Sequence, residues 1–285
     1  MNVGVGLPTS VPGTGAERLL EWAQRAEAGT FSSLGVVDRL RYECFEPMTS
    51  LAAVAAATER IGLVTMVVIG PLRTNGVLAK AAATIDAISN GRLTLGLAVG
   101  ARGDDYEASG IPAAGRGLRL TEQLAELRTH WERTETQGML TKPQGPRLLV
   151  GGMSDVAFLR MARYAQGYVH GGGPPRTFAR AAGKARTAWS ELGRTGEPAL
   201  WAQGYFALGD DATIERGLAY MRDYYAFTGP FAERIAEGML RTPQAIAQFV
   251  RGYKEAGCDE VVLLPAVGEL DQLERLQDAL GGDLN

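Results

Sequence analysis

ATIDAISNGRLTLGLAVG, residues 83–100, changes periodicity half-way along. Its first half continues a helical pattern begun near Gly76 and closes on Asn90-Gly91, a pair suited to the left-handed turn that ends a helix. Its second half, from Leu93 to Gly100, is apolar at consecutive rather than alternate positions. Such a strand is buried on both faces, as in a parallel sheet covered by helices. The same alternation spreads outward in both directions. Towards the N-terminus, 61–69 is apolar except at Gly62 and Thr65, and an Ala-rich helix opened by Glu46-Pro47 precedes it. Before that come a strand at 34–37 ending on Asp38-Arg39, a helix over 16–28 and a first strand at 3–7. Towards the C-terminus, strands at 148–150, 167–169, 200–208 and 260–264 alternate with helices over 118–133, up to 164, 176–192, 211–256 (broken near Gly229-Pro230) and 270–280.

Eight strand–helix alternations with right-handed crossovers leave two main architectures, a closed barrel or a doubly wound open sheet. Near-regular repetition and a length of 285 residues favour a (β/α)8 TIM barrel, for which ~250 residues is usual. The dinucleotide fingerprint of the open sheet is missing: Gly4-Val5-Gly6 lies inside the first strand and Pro8 follows it. No low-complexity tract or Pro/Ser-rich linker divides the chain, so a single domain over 1–285 is expected.

Composition narrows the function. A net charge of −3 argues against a nucleic-acid surface, which needs a clustered basic face. Two histidines, His130 and His170, are too few for a His-rich metal site, and no metal is expected. Cys44 and Cys258 read as reduced, buried thiols. The start MNVGVGLPTS has no basic segment or long apolar core, and no segment has the ~20 apolar residues of a membrane span. The expectation is a cytoplasmic protein bound to neither nucleic acid nor membrane. No GxSxG elbow marks a serine hydrolase.

In a TIM barrel the site lies at the strands' C-terminal ends. Three of those ends differ from plain turns. Gly151-Gly152-Met153-Ser154-Asp155 joins a strand directly to a helix. It reads either as a cradle of bare amides for an anion such as phosphate or as a turn whose helix is capped by Ser154 or Asp155. His170-Gly171-Gly172-Gly173-Pro174-Pro175 follows the next strand, as a bare surface sharing that anion or as a surface turn. Asp38-Arg39 places a carboxylate and a guanidinium at the mouth, as working groups or as an ion pair. The neighbouring Met66, Val67, Val68 and Ile69 are apolar, which suits a flat aromatic cofactor.

Taken in order, several segments resemble the luciferase-like flavin oxidoreductases: Asp38-Arg39 then Glu46-Pro47, LAAVAAATERIGLVT, PLRTNGVLAKAAATIDAISNGRLTLGLAVG (71–100), RGDDYEASG (102–110), RGLRLTEQLAELRTHW (116–131), LLVGG…RMARYAQGY (148–168) and AGCDEVVLLP (256–265). The resemblance covers nearly the whole chain. It implies a TIM barrel that binds FMN, or the deazaflavin F420, at its C-terminal mouth. The implied chemistry is monooxygenation with reduced flavin from a separate reductase, or hydride transfer; a non-catalytic flavin-binding role is the third reading. The partners implied are a small-molecule substrate and a second copy in a homodimer. The flavin phosphate would fall on Gly151, Gly152, Met153 and Ser154, with Gly171 and Gly172 beside it. A bulge within Thr65 to Val68, often holding a non-proline cis peptide, would carry Met66, Val67 and Val68 against one ring face. Asp38, Arg39 and Tyr106 are the expected catalytic residues, with Tyr205 or water as other proton carriers.

The chain departs from the luciferases in places. Arg39 stands where they carry a histidine, Val99 where they carry a phosphate-binding arginine, and Asn75 where proline is usual. The stretch between Trp131 and Lys142 is short, which implies a small lid over the mouth. These changes point away from light-emitting aldehyde chemistry.

Overall fold

Nine short parallel strands form one ring: β1 (Asn2–Gly6), β2 (Ser33–Val36), β3 (Gly62–Thr65), β4 (Val68–Ile69), β5 (Leu93–Ala98), β6 (Arg147–Gly151), β7 (Gly167–His170), β8 (Ala199–Phe206) and β9 (Glu260–Pro265). β1 lies between β2 and β9, each neighbour pairs in turn, and β5 closes the ring by pairing with both β3 and β4. β3 and β4 are therefore two halves of one barrel strand, and the molecule is a closed, eight-strand (β/α)8 TIM barrel. The computed structural model describes residues 1–133 and 138–281.

The helices of the outer ring are α1 (Ala16–Ala28), α2 (Pro47–Ala57), α3 (Asn75–Ile88), α4 (Gly103–Ser109), α5 (Arg116–Glu132), α6 (Asp155–Tyr164), α7 (Pro175–Glu191), α8 (Asp211–Tyr224), α9 (Phe231–Glu237), α10 (Pro243–Glu255) and α11 (Asp271–Leu280). Local chemistry sets their ends. Pro47 opens α2, and the Glu46 carboxylate accepts from Thr49 N–H at 2.6 Å. After α3, Asn90 and Gly91 both adopt the left-handed region (φ 53° and 81°), as the Asn-Gly pair predicts. A Cβ on Gly91 would also come within 2.6 Å of Thr141 Oγ1. No helix among the described residues is long and apolar enough to cross a membrane.

Two apolar layers hold the barrel. Between strands and helices lies the larger, anchored by Trp22, Leu51, Trp131, Phe158, Phe178 and Tyr253. Inside the barrel, Val64, Met66, Leu149, Val169, Trp201 and Val262 fill the lumen, continuous with tyrosines from α8. Large-to-small changes in either layer would cost ~2–5 kcal/mol each.

The apolar run 61–69 is one strand by composition, but it breaks after Thr65 at the bulge that the family resemblance implies, and the Met66–Val67 peptide within it is cis. Thr65 bridges the break: its hydroxyl donates to Gly96 O at 2.7 Å and accepts from Gly96 N–H at 2.8 Å. The polar segment after β5 contains α4, with Gly110 as a left-handed cap.

Candidate functional site

The strands' C-terminal ends converge on one mouth, and its two sides are built differently. On the β2–β5 side the chain is tied by charge. Asp38, whose side chain is fully buried, meets Arg73 through two bonds of 2.6 and 3.1 Å and accepts from Ile69 N–H at 2.8 Å. Arg73 reaches on to Glu46 at 2.8 Å, so one network joins the loop after β2, the cap of α2 and the segment after β4. Burial pushes the Asp38 carboxyl up, against the pull of Arg73 and the Ile69 amide. Arg73, which burial alone would lower, is held above its ordinary value by Asp38 and Glu46.

Arg39 is engaged in the same way. Its Nε donates to Asp105 at 2.8 Å and its Nη2 to Asp104 and to Arg41 O. The other Asp105 oxygen, also buried, accepts the Leu40 and Arg41 N–H groups. Tyr106 is buried against Ile69 and Leu72, and its hydroxyl donates to Val99 O at 2.5 Å. The three expected catalytic residues are thus held by protein partners, apart from Arg39 Nη1, which has none among the described residues.

On the β6–β7 side the backbone is bare. Gly152 has φ 129°, and a Cβ there would lie 2.9 Å from Ala157 Cβ. Ser154 caps α6, its hydroxyl oxygen accepting from Ala157 N–H at 3.3 Å. The cap and the anion cradle are compatible, because the Ser154 proton and the earliest amides of α6 lack intrahelical acceptors. Met153 is exposed, and a Cβ on Gly171 would meet nothing within 4 Å. His170 is buried behind this turn, 3.3 Å from both Tyr168 OH and Thr177 Oγ1, and burial lowers its pKa. Met66 faces the lumen and Val67 is half-buried beside it. Val68 instead belongs to the outer apolar layer at zero exposure, outside the wall that the sequence assigns it to. Bare amides open to solvent at the mouth, and the apolar Met66 and Val67 on the same mouth, are the residue chemistry that a phosphate-bearing flavin would need.

The third part of the mouth is not apparent from sequence. The end of α8 brings Tyr220, Tyr224 and Tyr225 over the lumen beside Tyr42 and Tyr205. Tyr225 OH donates to Tyr205 OH at 3.2 Å and Tyr42 OH to Asp223 at 2.6 Å. Burial holds all five phenols neutral, above their ordinary range. Arg102 stacks on this cluster, its Cζ 4.4 Å from the Tyr224 centroid and 4.1 Å from that of Phe227. A cleft of about 360 Å³ opens next to it, lined by Val11, Tyr42, Tyr220, Asp223 and Val267 among others. It lies by the ends of β1 and β9, across the ring from β6. Arg73 and Asp105 left no sequence signal beyond their position; the paired aromatics of MRDYYAF (221–227) were the one visible sign of the tyrosine cluster.

Comparison with known proteins agrees with this architecture. A family model described as luciferase-like monooxygenase matches residues 1–261. The oxygenase component of a flavin-dependent trigonelline monooxygenase from Acinetobacter baylyi is 36% identical over 88 residues, 30% of this chain and 24% of that one. Among solved structures, an F420-dependent secondary alcohol dehydrogenase superposes with a TM-score of 0.83 at 15% identity, covering 100% of this chain and 99% of that one. The oxygenating constituent of 3,6-diketocamphane monooxygenase from Pseudomonas putida, in complex with FMN, gives 0.73 at 17% identity over 98% and 96%.

Proposed function

The chain belongs to the luciferase-like monooxygenase family, and from that premise we propose that it is a flavin-dependent oxidoreductase, a monooxygenase using reduced FMN and O2 on a small organic substrate. The observation that carries the reading is the pairing, across one mouth, of the glycine-pair turn at the start of α6 with the Met66–Val67 wall. Sequence similarity to the oxygenase component of a flavin-dependent monooxygenase supports the reaction class and a separate reductase as partner. Bound reduced flavin would supply the electrons that activate O2.

The chain's own residues would bind, orient and exclude water. Amides of Gly152, Met153 and α6, with the Ser154 hydroxyl, would hold the phosphate; Gly151, Gly171 and Gly172 would let it approach; Met66 and Val67 would meet the ring. In this reading Asp38, Arg39 and Tyr106 are positioning residues. Asp38 fixes the segment following the bulge through Ile69 and Arg73, and Arg39 and Tyr106 fix the loop after β5. The neutral Tyr205–Tyr225 pair is the proton-bearing group next to the lumen.

Titration of the purified protein with reduced FMN, oxidised FMN and F420, followed by fluorescence, tests the proposal. FMN is expected to bind; binding of F420 alone would replace the oxygenase reading with hydride transfer, and binding of neither would end it. Ser154→Asp keeps a good helix cap but sets a like charge within hydrogen-bonding reach of the phosphate. At ~5 Å that repulsion is about 1–3 kcal/mol, so FMN affinity should fall roughly tenfold or more with the fold intact. Unchanged affinity would remove the phosphate from this turn.

A further inference from the structure

Arg102 is 8% exposed, yet no carboxylate or carbonyl among the described residues accepts from its guanidinium. Its contacts are rings: Tyr224 at 4.4 Å, Phe227 at 4.1 Å and, further off, Tyr225 at 5.8 Å. The guanidinium is thus held among rings while its N–H groups keep access to solvent. Arg39 contributes a second orphan. Its Cζ lies 5.6 Å from the same Tyr224 ring, and its buried Nη1 has no acceptor. The nearby carboxylates, Asp104 and Asp105, are both bound to Arg39, and Asp105 reaches Arg102 through its field without a hydrogen bond.

Aromatic faces attract a cation but do not satisfy its N–H groups. The N–H groups of a guanidinium point outward in its own plane, so a partner for them comes in that plane. A planar carboxylate meets that edge with two parallel bonds. Burial lowers the Arg102 pKa, with the Arg39 charge adding to it and Tyr224, Tyr225 and Asp105 pulling the other way. The location favours substrate over cofactor. Tyr224, which carries the stack, packs edge-on against Tyr42 (5.2 Å) and beside Tyr220 (5.5 Å), and those two tyrosines line the 360 Å³ cleft across the ring from the Gly151–Ser154 turn.

We infer that Arg102, helped by Arg39 Nη1, receives the carboxylate of a small organic acid that is the substrate, with the tyrosine cluster against its apolar part. The inference rests on the proposed flavin chemistry for the meaning of "substrate", but the binding site can be tested apart from it. Benzoate, its neutral analogue benzamide and inorganic phosphate would be titrated against wild type, Arg102→Met and Arg102→Lys, and FMN binding measured on the same samples. Wild type should bind benzoate at least tenfold more tightly than benzamide. Arg102→Met should abolish that preference while FMN affinity stays within twofold. Arg102→Lys, which keeps the charge without the planar edge, should retain part of the preference, a control against a merely misfolded methionine variant. Equal binding of acid and amide by wild type, or a preference surviving in Arg102→Met, would overturn the assignment. So would loss of FMN binding in Arg102→Met together with competition between phosphate and FMN, since the arginine would then serve the cofactor. Failure of wild type to bind flavin, with the benzoate preference intact, would sink the flavin reading and leave this one standing.

Discussion

Replacing Asp38 separates a structural carboxylate from a catalytic one. Its side chain is completely buried, it holds Arg73 in a two-bond pair, and it accepts the Ile69 amide. Removing one member of a buried pair costs ~3–5 kcal/mol, because the other charge stays behind without its partner. Here Arg73 keeps Glu46, whose side chain is 40% exposed, so the lower end applies and Asp38→Asn should cost about 3 kcal/mol. Asparagine still offers an oxygen to Ile69 N–H. Alanine does not, and a buried amide without an acceptor adds ~1–3 kcal/mol, giving about 4–5 kcal/mol for Asp38→Ala. Adding Arg73→Met to Asp38→Asn removes the stranded cation, so the double variant should recover roughly 2 kcal/mol relative to the sum of the singles. The assay is chemical denaturation followed by circular dichroism, with flavin affinity measured alongside. If Asp38→Asn unfolds within ~1 kcal/mol of wild type while turnover collapses, the carboxylate works on substrate and the structural argument is wrong.

Three further outcomes follow from the structure. His170, lowered by burial, contributes stability that is complete above its unfolded value near ~6.5 and lost as the pH falls below it; melting temperatures between pH 7.5 and 5 should drop less steeply in His170→Gln. Arg92 donates to Ser89 O, Thr58 Oγ1, Ile61 O, Ala55 O and Thr58 O at 2.7–3.0 Å; Arg92→Met should cost about 3 kcal/mol in denaturation, and Lys, lacking the planar fork, should recover little of it. Gly152→Ala puts a side chain at φ 129°, 2.9 Å from Ala157 Cβ; it should cost ~1–3 kcal/mol and weaken FMN binding, read by the same titration.

The barrel was legible because burial on both strand faces writes itself as consecutive apolar residues, and because Asn90-Gly91 and Glu46-Pro47 mark helix ends through local chemistry. What was illegible depends on partners distant in sequence. The bulge after Thr65 is legible from the family resemblance alone, because residues on both sides of the cis peptide are apolar and composition reads an unbroken strand. Asp38 and Arg39 stand at the mouth as expected, but Arg73 lies 35 positions on and Asp105 lies 66, and neither pairing has a sequence period. Strand periodicity says which strand end a residue occupies and nothing of what its side chain meets.

That difference bears on how the mouth divides its work. Charged residues near the ends of β2 and β5 are bound to one another, so their contribution is a fixed frame: they hold the loops at which the bulge emerges. Around β6 and β7 the chain gives up side chains and offers amides, which in the proposed function would bind an anion without a titrating group. Arg102 fits neither half. It is charged like the frame residues but makes no hydrogen-bonded ion pair among the described residues, and its rings come from the end of α8 and the turn after it, more than a hundred residues later. A cation held among aromatic rings without a hydrogen-bonded carboxylate adds little to a frame that Arg39 and Arg73 already hold. On the inferred carboxylate site it would instead receive an anion that comes and goes, with the tyrosines at the end of α8 as the wall against which that anion's carrier is oriented.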